Sequence, residues 1–247
     1  MYNIYSGNIT AAATYLSIAY RFASILGAHL NPVGRGPTTL GLDHTKKPTT
    51  PLRRLFWLCY MFDKDICLRA GYPPVIDDNH CDLALPLGYK QIDALDTFRD
   101  GSDGFPGDMR LTIIKSKTIS LLYCLRAFKK SDAELLRDIR ELDNELETWR
   151  MSIPPQYRPS FALGHRIKLE PGMTKAKRIH IIVIHLEYYF LLALFHSASG
   201  RCRVWGCDEG SQAASVTSSQ ALALQASRSM IVNLSEVAHV FNCGDFW

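Results

Sequence analysis

Residues 50–86 read TTPLRRLFWLCYMFDKDICLRAGYPPVIDDNHCDLALP, and this stretch decides the fold. Thr50 suits a helix cap, and Pro51 suits the first turn, where a missing N–H leaves nothing unsatisfied. Leu52, Leu55, Phe56, Cys59, Phe62 and Ile66 then recur at steps of three and four, which predicts one broad apolar helix face. Gly71 supplies a left-handed residue to end the helix, and Pro73 and Pro74 stop it from restarting. The reading is a buried helix with a fixed exit, followed by an extended acidic strap carrying Asp77, Asp78 and Asp82.

Outward from this stretch the chain keeps a helical period. Ala12, Tyr15, Leu16, Ala19, Phe22, Ala23 and Leu26 predict an amphipathic helix over 8–28, capped by Asn8 or Thr10. Residues 31–48 are rich in Gly, Pro and Thr and read as a loop, as do residues 89–107. Ile113, Ile114, Leu121, Leu122, Leu125 and Phe128 predict a helix over 110–128. Ser131 and Glu134 form a capping-box pattern that opens a helix through Leu135, Ile139, Leu142, Leu146 and Trp149. The run IHIIVIHLEYYFLLALF within 175–197 has 17 residues with His180, His185 and Glu187 inside, and reads as a core helix rather than a membrane span. Residues 199–219 read as a polar loop, and Leu222, Gln225, Ala226, Ile231, Leu234, Ala238 and Phe241 as a last helix. With at least six helices and no alternating strand, the fold class is all-α, an irregular multi-helix array with long loops. The chain reads as a single domain over 1–247, and its apolar ending at Phe246-Trp247 implies a domain that continues further.

Composition is that of an ordinary globular chain, with 47% hydrophobic and 21% charged residues. The formal charge of +4 is spread along the sequence and gives no basic face for nucleic acid. Its short basic clusters, Lys46-Lys47, Arg53-Arg54, Lys129-Lys130 and Lys175–Arg178, read as solvated or helix-end charge. The 7 cysteines lack framework spacing, which points to a reducing compartment. The N-terminal residues have no basic segment before an apolar run, so no signal peptide is expected.

The central stretch resembles a known family. Arg53-Arg54-Leu55-Phe56-Trp57, Tyr60, Asp63, Gly71-Tyr72-Pro73-Pro74, Ile76-Asp77-Asp78 and Asp82 through Pro86 resemble the fungal-specific transcription factor domain. This is the middle homology region of fungal zinc-cluster regulators, with a signature of roughly R-R-x-W-W, Y-x-x-D-R, G-R-P, I-x-D and L-P. Phe56, Lys64 and Tyr72 depart from it, replacing an aromatic and two arginines. The helix ending near Leu26–His29 and the late Trp149 before Ile153-Pro154 extend the resemblance to about residue 159. It implies a nuclear regulatory domain of a transcription factor, acting through intramolecular, protein or small-molecule effector contacts. The family's binuclear zinc cluster needs six cysteines in tight C-x2-C-x6-C groups, which this sequence lacks. Zinc and DNA binding are therefore expected only from a module outside these residues, with no cofactor in this chain and no membrane partner. A stand-alone helical interaction protein is the alternative.

Chemical motifs are sparse. Asp77, Asp78 and Asp82 resemble the D-D-x-x-x-D magnesium motif of terpene synthases, a remote enzyme alternative, but they follow Pro-Pro and lack the second metal motif. His180 and His185 do not form H-E-x-x-H, and Cys202-x4-Cys207 lacks a completing pair. Neither a Gly-rich phosphate loop nor a nucleophile elbow is present, so no catalytic residue is expected. Asp63 sits near the end of a helix, where the dipole disfavours an acid by about 0.3–1 kcal/mol. It therefore reads as a structural tie, accepting from an arginine or from backbone N–H groups of another segment. Arg53 and Arg54 read as organisers of the acidic strap through carboxylate pairing.

Overall fold

The computed structural model describes residues 7–31, 51–85, 89, 107–161, 166–202 and 211–240. Thr50, Pro86, Phe241, the two long loops and the Lys46-Lys47 cluster lie wholly or mostly outside these residues. Among the described residues are six α-helices and no strand, the all-α class that the sequence implies. The chain divides into two compact units, Met1–Lys90 and Gln91–Trp247.

In the first unit, α1 (Ile9–Ile25) starts where the Asn8 side chain accepts from Ala11 N–H at 3.1 Å. It ends on Gly27, whose φ of 79° lets Gly27 N–H reach Ser24 O and Ala28 N–H reach Ala23 O. That paired closure leaves the carbonyls of Ala28 and His29 pointing onward for other partners. α2 (Pro51–Ala70) ends likewise at Gly71, with φ 73° and its N–H on the Cys67 carbonyl at 2.9 Å. The Thr10 hydroxyl meets Tyr72 OH at 3.0 Å at one end, and Arg53 reaches Ala28 at the other. The two helices therefore run antiparallel.

The buried face of α2 is rotated from the expected one. Leu55 is 40% exposed, and Leu52 and Phe62 are only partly buried. Arg53, Phe56, Trp57, Tyr60, Asp63, Lys64 and Cys67 turn inward instead, again at steps of three and four. Two long cations bound this stripe, and their stems pack on rings: the Arg53 guanidinium lies 4.5 Å from the Phe56 centroid and Lys64 Nζ 4.8 Å from that of Tyr60. A pattern that counts only apolar residues misses such a face. α1 differs for a related reason: Ala12 and Ala23 are buried, while Tyr15, Phe22 and Leu26 are exposed. Small residues let this helix approach closely.

The second unit begins at Asp108, whose carboxylate caps α3 (Met109–Thr118) by accepting from Arg110 N–H at 2.8 Å. Its other oxygen accepts from the indole N–H of Trp149 at 2.8 Å, on α4 (Asp132–Met151). The capping box of Ser131 and Glu134 is formed, and Leu135, Ile139, Leu142, Leu146 and Trp149 are buried as their spacing predicts. The helix expected over 110–128 breaks instead. A five-residue π turn (Ile119–Tyr123) follows α3, and Lys130 Nζ takes the Leu121 carbonyl at 2.9 Å. Leu125 and Phe128, expected in the core, are thereby turned outward.

α5 (Lys175–Ser197) is the central helix of this unit, with Ile181, Ile182, Ile184, Tyr188, Leu191 and Phe195 buried. By length and composition it is apolar enough to cross a membrane, but 61% of its apolar window is packed inside the unit. Glu187 joins it to α3 through Lys115 at 2.6 Å, so this acid serves an ion pair. α6 (Ser211–Val237) starts well inside the stretch read as a loop. Its inward positions are small, with Val216, Ser219, Ala223 and Ala226 at steps of three and four, and it packs along α5. Ile231 and Leu234 face out, whereas Asn233 is buried and holds Ile167 N–H at 3.1 Å.

His180 and His185 are core histidines, and His185 Nε2 lies 3.0 Å from the Tyr157 carbonyl. Burial lowers the His180 pKa from 6.5 to about 4, opposed by the nearby Asp108 carboxylate. The unfolded chain therefore binds this proton more readily. The stability contribution is complete above about pH 6.5 and is lost as pH falls towards 4. Urea titrations should show stability falling across that window by up to about 1.4 kcal/mol per pH unit from this group, and His180→Gln should flatten the slope.

Candidate functional site

The signature residues converge where α1, α2 and the strap meet. Asp63, at 2% exposure, accepts from the backbone N–H groups of Val75 at 2.9 Å and Ile76 at 3.2 Å. Lys64, at 1% exposure, donates to the Ile76 carbonyl at 2.6 Å and lies 3.2 Å from Asp63 and 3.4 Å from Asp78. Tyr60 OH lies 3.1 Å from both Asp78 oxygens. One helix turn thus holds both the amide and the carbonyl of Ile76, whose side chain is itself 1% exposed.

Arg53 closes the other end of the strap. Its guanidinium donates to the Ala28 carbonyl at 3.3 Å and to the Asp82 main-chain carbonyl. Asp82 N–H in turn donates to the His29 carbonyl at 2.9 Å. Arg53 is stacked on Phe56 and Trp57, and burial lowers its pKa against the opposing field of Asp82. It stays charged at neutral pH. The Tyr20 hydroxyl adds a contact at 3.6 Å to Cys81 Sγ, and burial followed by that contact pushes the Tyr20 pKa up.

These contacts answer the sequence reading residue by residue. Asp63 is a tie to backbone N–H groups, as expected. Arg53 holds the strap through a carbonyl rather than a carboxylate, and the cation beside Asp78 is Lys64. Arg54 lies partly buried on the same helix, and Trp57 packs edge-on against Phe56 and Tyr60 at 5.6 Å each. Pro73 and Pro74 are exposed in the extended exit from Gly71, and Pro86 lies outside the described residues. Lys64 was legible only as a departure from the family pattern. The stripe Arg53, Trp57, Tyr60, Lys64, at steps of four, three and four, is the signal that would have found it.

The three strap carboxylates do not share a task. Asp77 accepts from Asn79 N–H at 2.9 Å, which holds its pKa below the usual range, and Asp82 accepts from Ala84 N–H at 2.8 Å. Asp78 belongs to Tyr60 and Lys64. Among the described residues no three His, Cys, Asp or Glu side chains come together. The described cysteines are free thiols, and burial pushes the Cys67 thiol up to about 12. A groove of about 510 Å³ runs between α3 and α4 past Ile113, Ile114 and Trp149, but it is open along one side. It does not enclose a ligand as a catalytic pocket does.

Fold and contacts together define a helical scaffold whose polar signature holds chain segments to one another. Comparison with known proteins gives the family. The chain belongs to the fungal specific transcription factor domain family, whose pattern matches residues 1–151. It is 35% identical over 194 residues to an ABC-transporter-regulating transcription factor of Aspergillus fumigatus, covering 77% of this chain and 20% of that protein. The protein of the same name from Aspergillus oryzae is 35% identical over 198 residues, with the same coverage. A transcriptional regulatory protein of Schizosaccharomyces pombe is 27% identical over 230 residues, 89% of this chain and 27% of that protein. The chain thus spans about a fifth of the length of the two Aspergillus relatives. No solved structure matches. The family and these relatives are regulators of transcription, not enzymes.

Removing Asp63 leaves Lys64 buried beside two open amides. Asp63→Ala should cost about 3–5 kcal/mol in urea unfolding of the first unit. Lys64→Met added to it should cost less than the sum of the two single changes, because the second change removes the stranded charge.

Proposed function

We propose that these residues form the regulatory segment of a nuclear transcription factor that controls ABC-transporter genes. The family match supports the regulatory role, and the two Aspergillus relatives, by what their names say they regulate, support the gene class. In this reading the strap and the helices that hold it form a packed block through which intramolecular, protein or effector contacts act. A contact of that kind changes activity only if it favours one packing of the block over another. Zinc and DNA contacts would belong to other parts of the full-length regulator, since the signature residues here are occupied with one another.

The observation that carries this reading is the use of Arg53, Asp63, Lys64 and Asp78 to join three segments rather than to present a reactive group. The test is made in the full-length regulator in its own cells. Asp63→Ala should change ABC-transporter transcripts severalfold at matched protein level and unchanged nuclear location. Transcripts that stay at wild-type level, with the strap shown to be released, would contradict the proposal.

A further inference from the structure

The break after α3 leaves a corner in the second unit that the regulatory reading does not use. Arg201 lies beside it, in the turn after α5. Its Nε donates to the Ala198 carbonyl at 3.3 Å, but among the described residues the buried Nη1 and Nη2 have no acceptor. The guanidinium carbon lies 4.7 Å from the Phe128 ring centroid and 5.6 Å from that of Tyr123. The Tyr123 hydroxyl donates to the Leu194 carbonyl at 2.7 Å, and it is the ring of Tyr123, not its oxygen, that faces the guanidinium. A buried guanidinium fork left without a hydrogen-bond acceptor is costly, and ring stacking offsets only part of that cost.

The surface around this fork is both apolar and basic. Leu125 is 85% exposed and Phe128 59% exposed, both on the turn that follows the π segment. Arg126 and Lys129 are exposed on the same turn. The other cations nearby are engaged: Lys130 and Arg137 both pair with Asp138. The first turn of α4 adds Asp132 and Glu134 directly after the corner. Acids in that place repel an anionic membrane or a nucleic acid backbone, which present wide fields of negative charge. A single carboxylate on a peptide avoids them.

We propose that this corner is a docking site for an acidic peptide segment in which a carboxylate neighbours an apolar side chain. The carboxylate takes the two terminal nitrogens of Arg201 as a fork, and the apolar side chain covers Leu125. Phe128, half out in solvent, is the cover that turns aside to admit it. Arg126 and Lys129 speed the encounter and contribute little once it is docked. A free phosphate would satisfy the fork but leave Leu125 uncovered. The site goes beyond the regulatory reading and holds whichever genes are controlled.

The probe is a fluorescein-labelled peptide with one Asp-Leu pair in an otherwise uncharged Gly-Ser sequence, titrated into the 247-residue chain and followed by anisotropy. Arg201→Gln should weaken binding about tenfold or more, the loss expected for one charged hydrogen-bond partner. Leu125→Asp, at a position too exposed to affect folding, should weaken it as much, and so should replacing the Asp of the peptide by Asn. Circular dichroism should stay unchanged for Leu125→Asp. Equal binding of the Asp and Asn peptides, or unaltered binding by Leu125→Asp, would overturn the proposal. So would binding of phosphatidylserine vesicles or inorganic phosphate in place of the peptide.

Discussion

The first unit depends on the carboxylate of Asp63, buried near the end of a helix and pointing at the backbone of another segment. Its burial removes water from the carboxylate. Two amide hydrogen bonds from Val75 and Ile76 and the ammonium of Lys64 make that position tolerable. Once Asp63 and Lys64 are both inside, the strap has little freedom. The amide and carbonyl of Ile76 are both taken by α2, so a shift by one residue would strand a buried charge. Ion pairs of this kind add little net stability over an apolar core, but they penalise every other register.

The same device appears in the second unit. Asp108 caps α3 with one oxygen and takes the Trp149 indole with the other. A residue chosen for local helix capping thereby fixes which part of α4 lies beside α3. In both units a buried aspartate accepts two N–H bonds and ties distant segments together. Arg53, Tyr60, Asp63, Lys64, Asp78 and Asp82, far apart in sequence, thereby join α1, α2 and the strap in space.

Much of this was legible from residue order. The stop at Gly71, the capping box at Ser131, the apolar stripe of α4 and the tie role of Asp63 each follow from a short-range rule. The rotation of α2 was not legible, because its inner stripe begins with Arg53 and ends near Lys64, and apolar patterns do not count cations. α6 was misplaced for the opposite reason: Ser211–Gln220 looks polar, yet small side chains at 216, 219, 223 and 226 fit close against α5. At the break over Ile119–Tyr123, Lys130 reaches back to the Leu121 carbonyl, a contact made only after the chain has turned. Long-range bonds of this kind lie outside any window of the sequence.

Hydrogen exchange of individual amides tests the central claim most directly. Val75 and Ile76 lie in the strap ahead of its short 3-10 turn at Asp78–His80, outside any helix or sheet, and Asp63 accepts both of their amides. The account predicts that both amides exchange as slowly as the core of α2, opening only when the first unit unfolds. Exchange at the rate of an unprotected loop, with α2 still protected, would show that the strap is not held by Asp63 and would contradict the account.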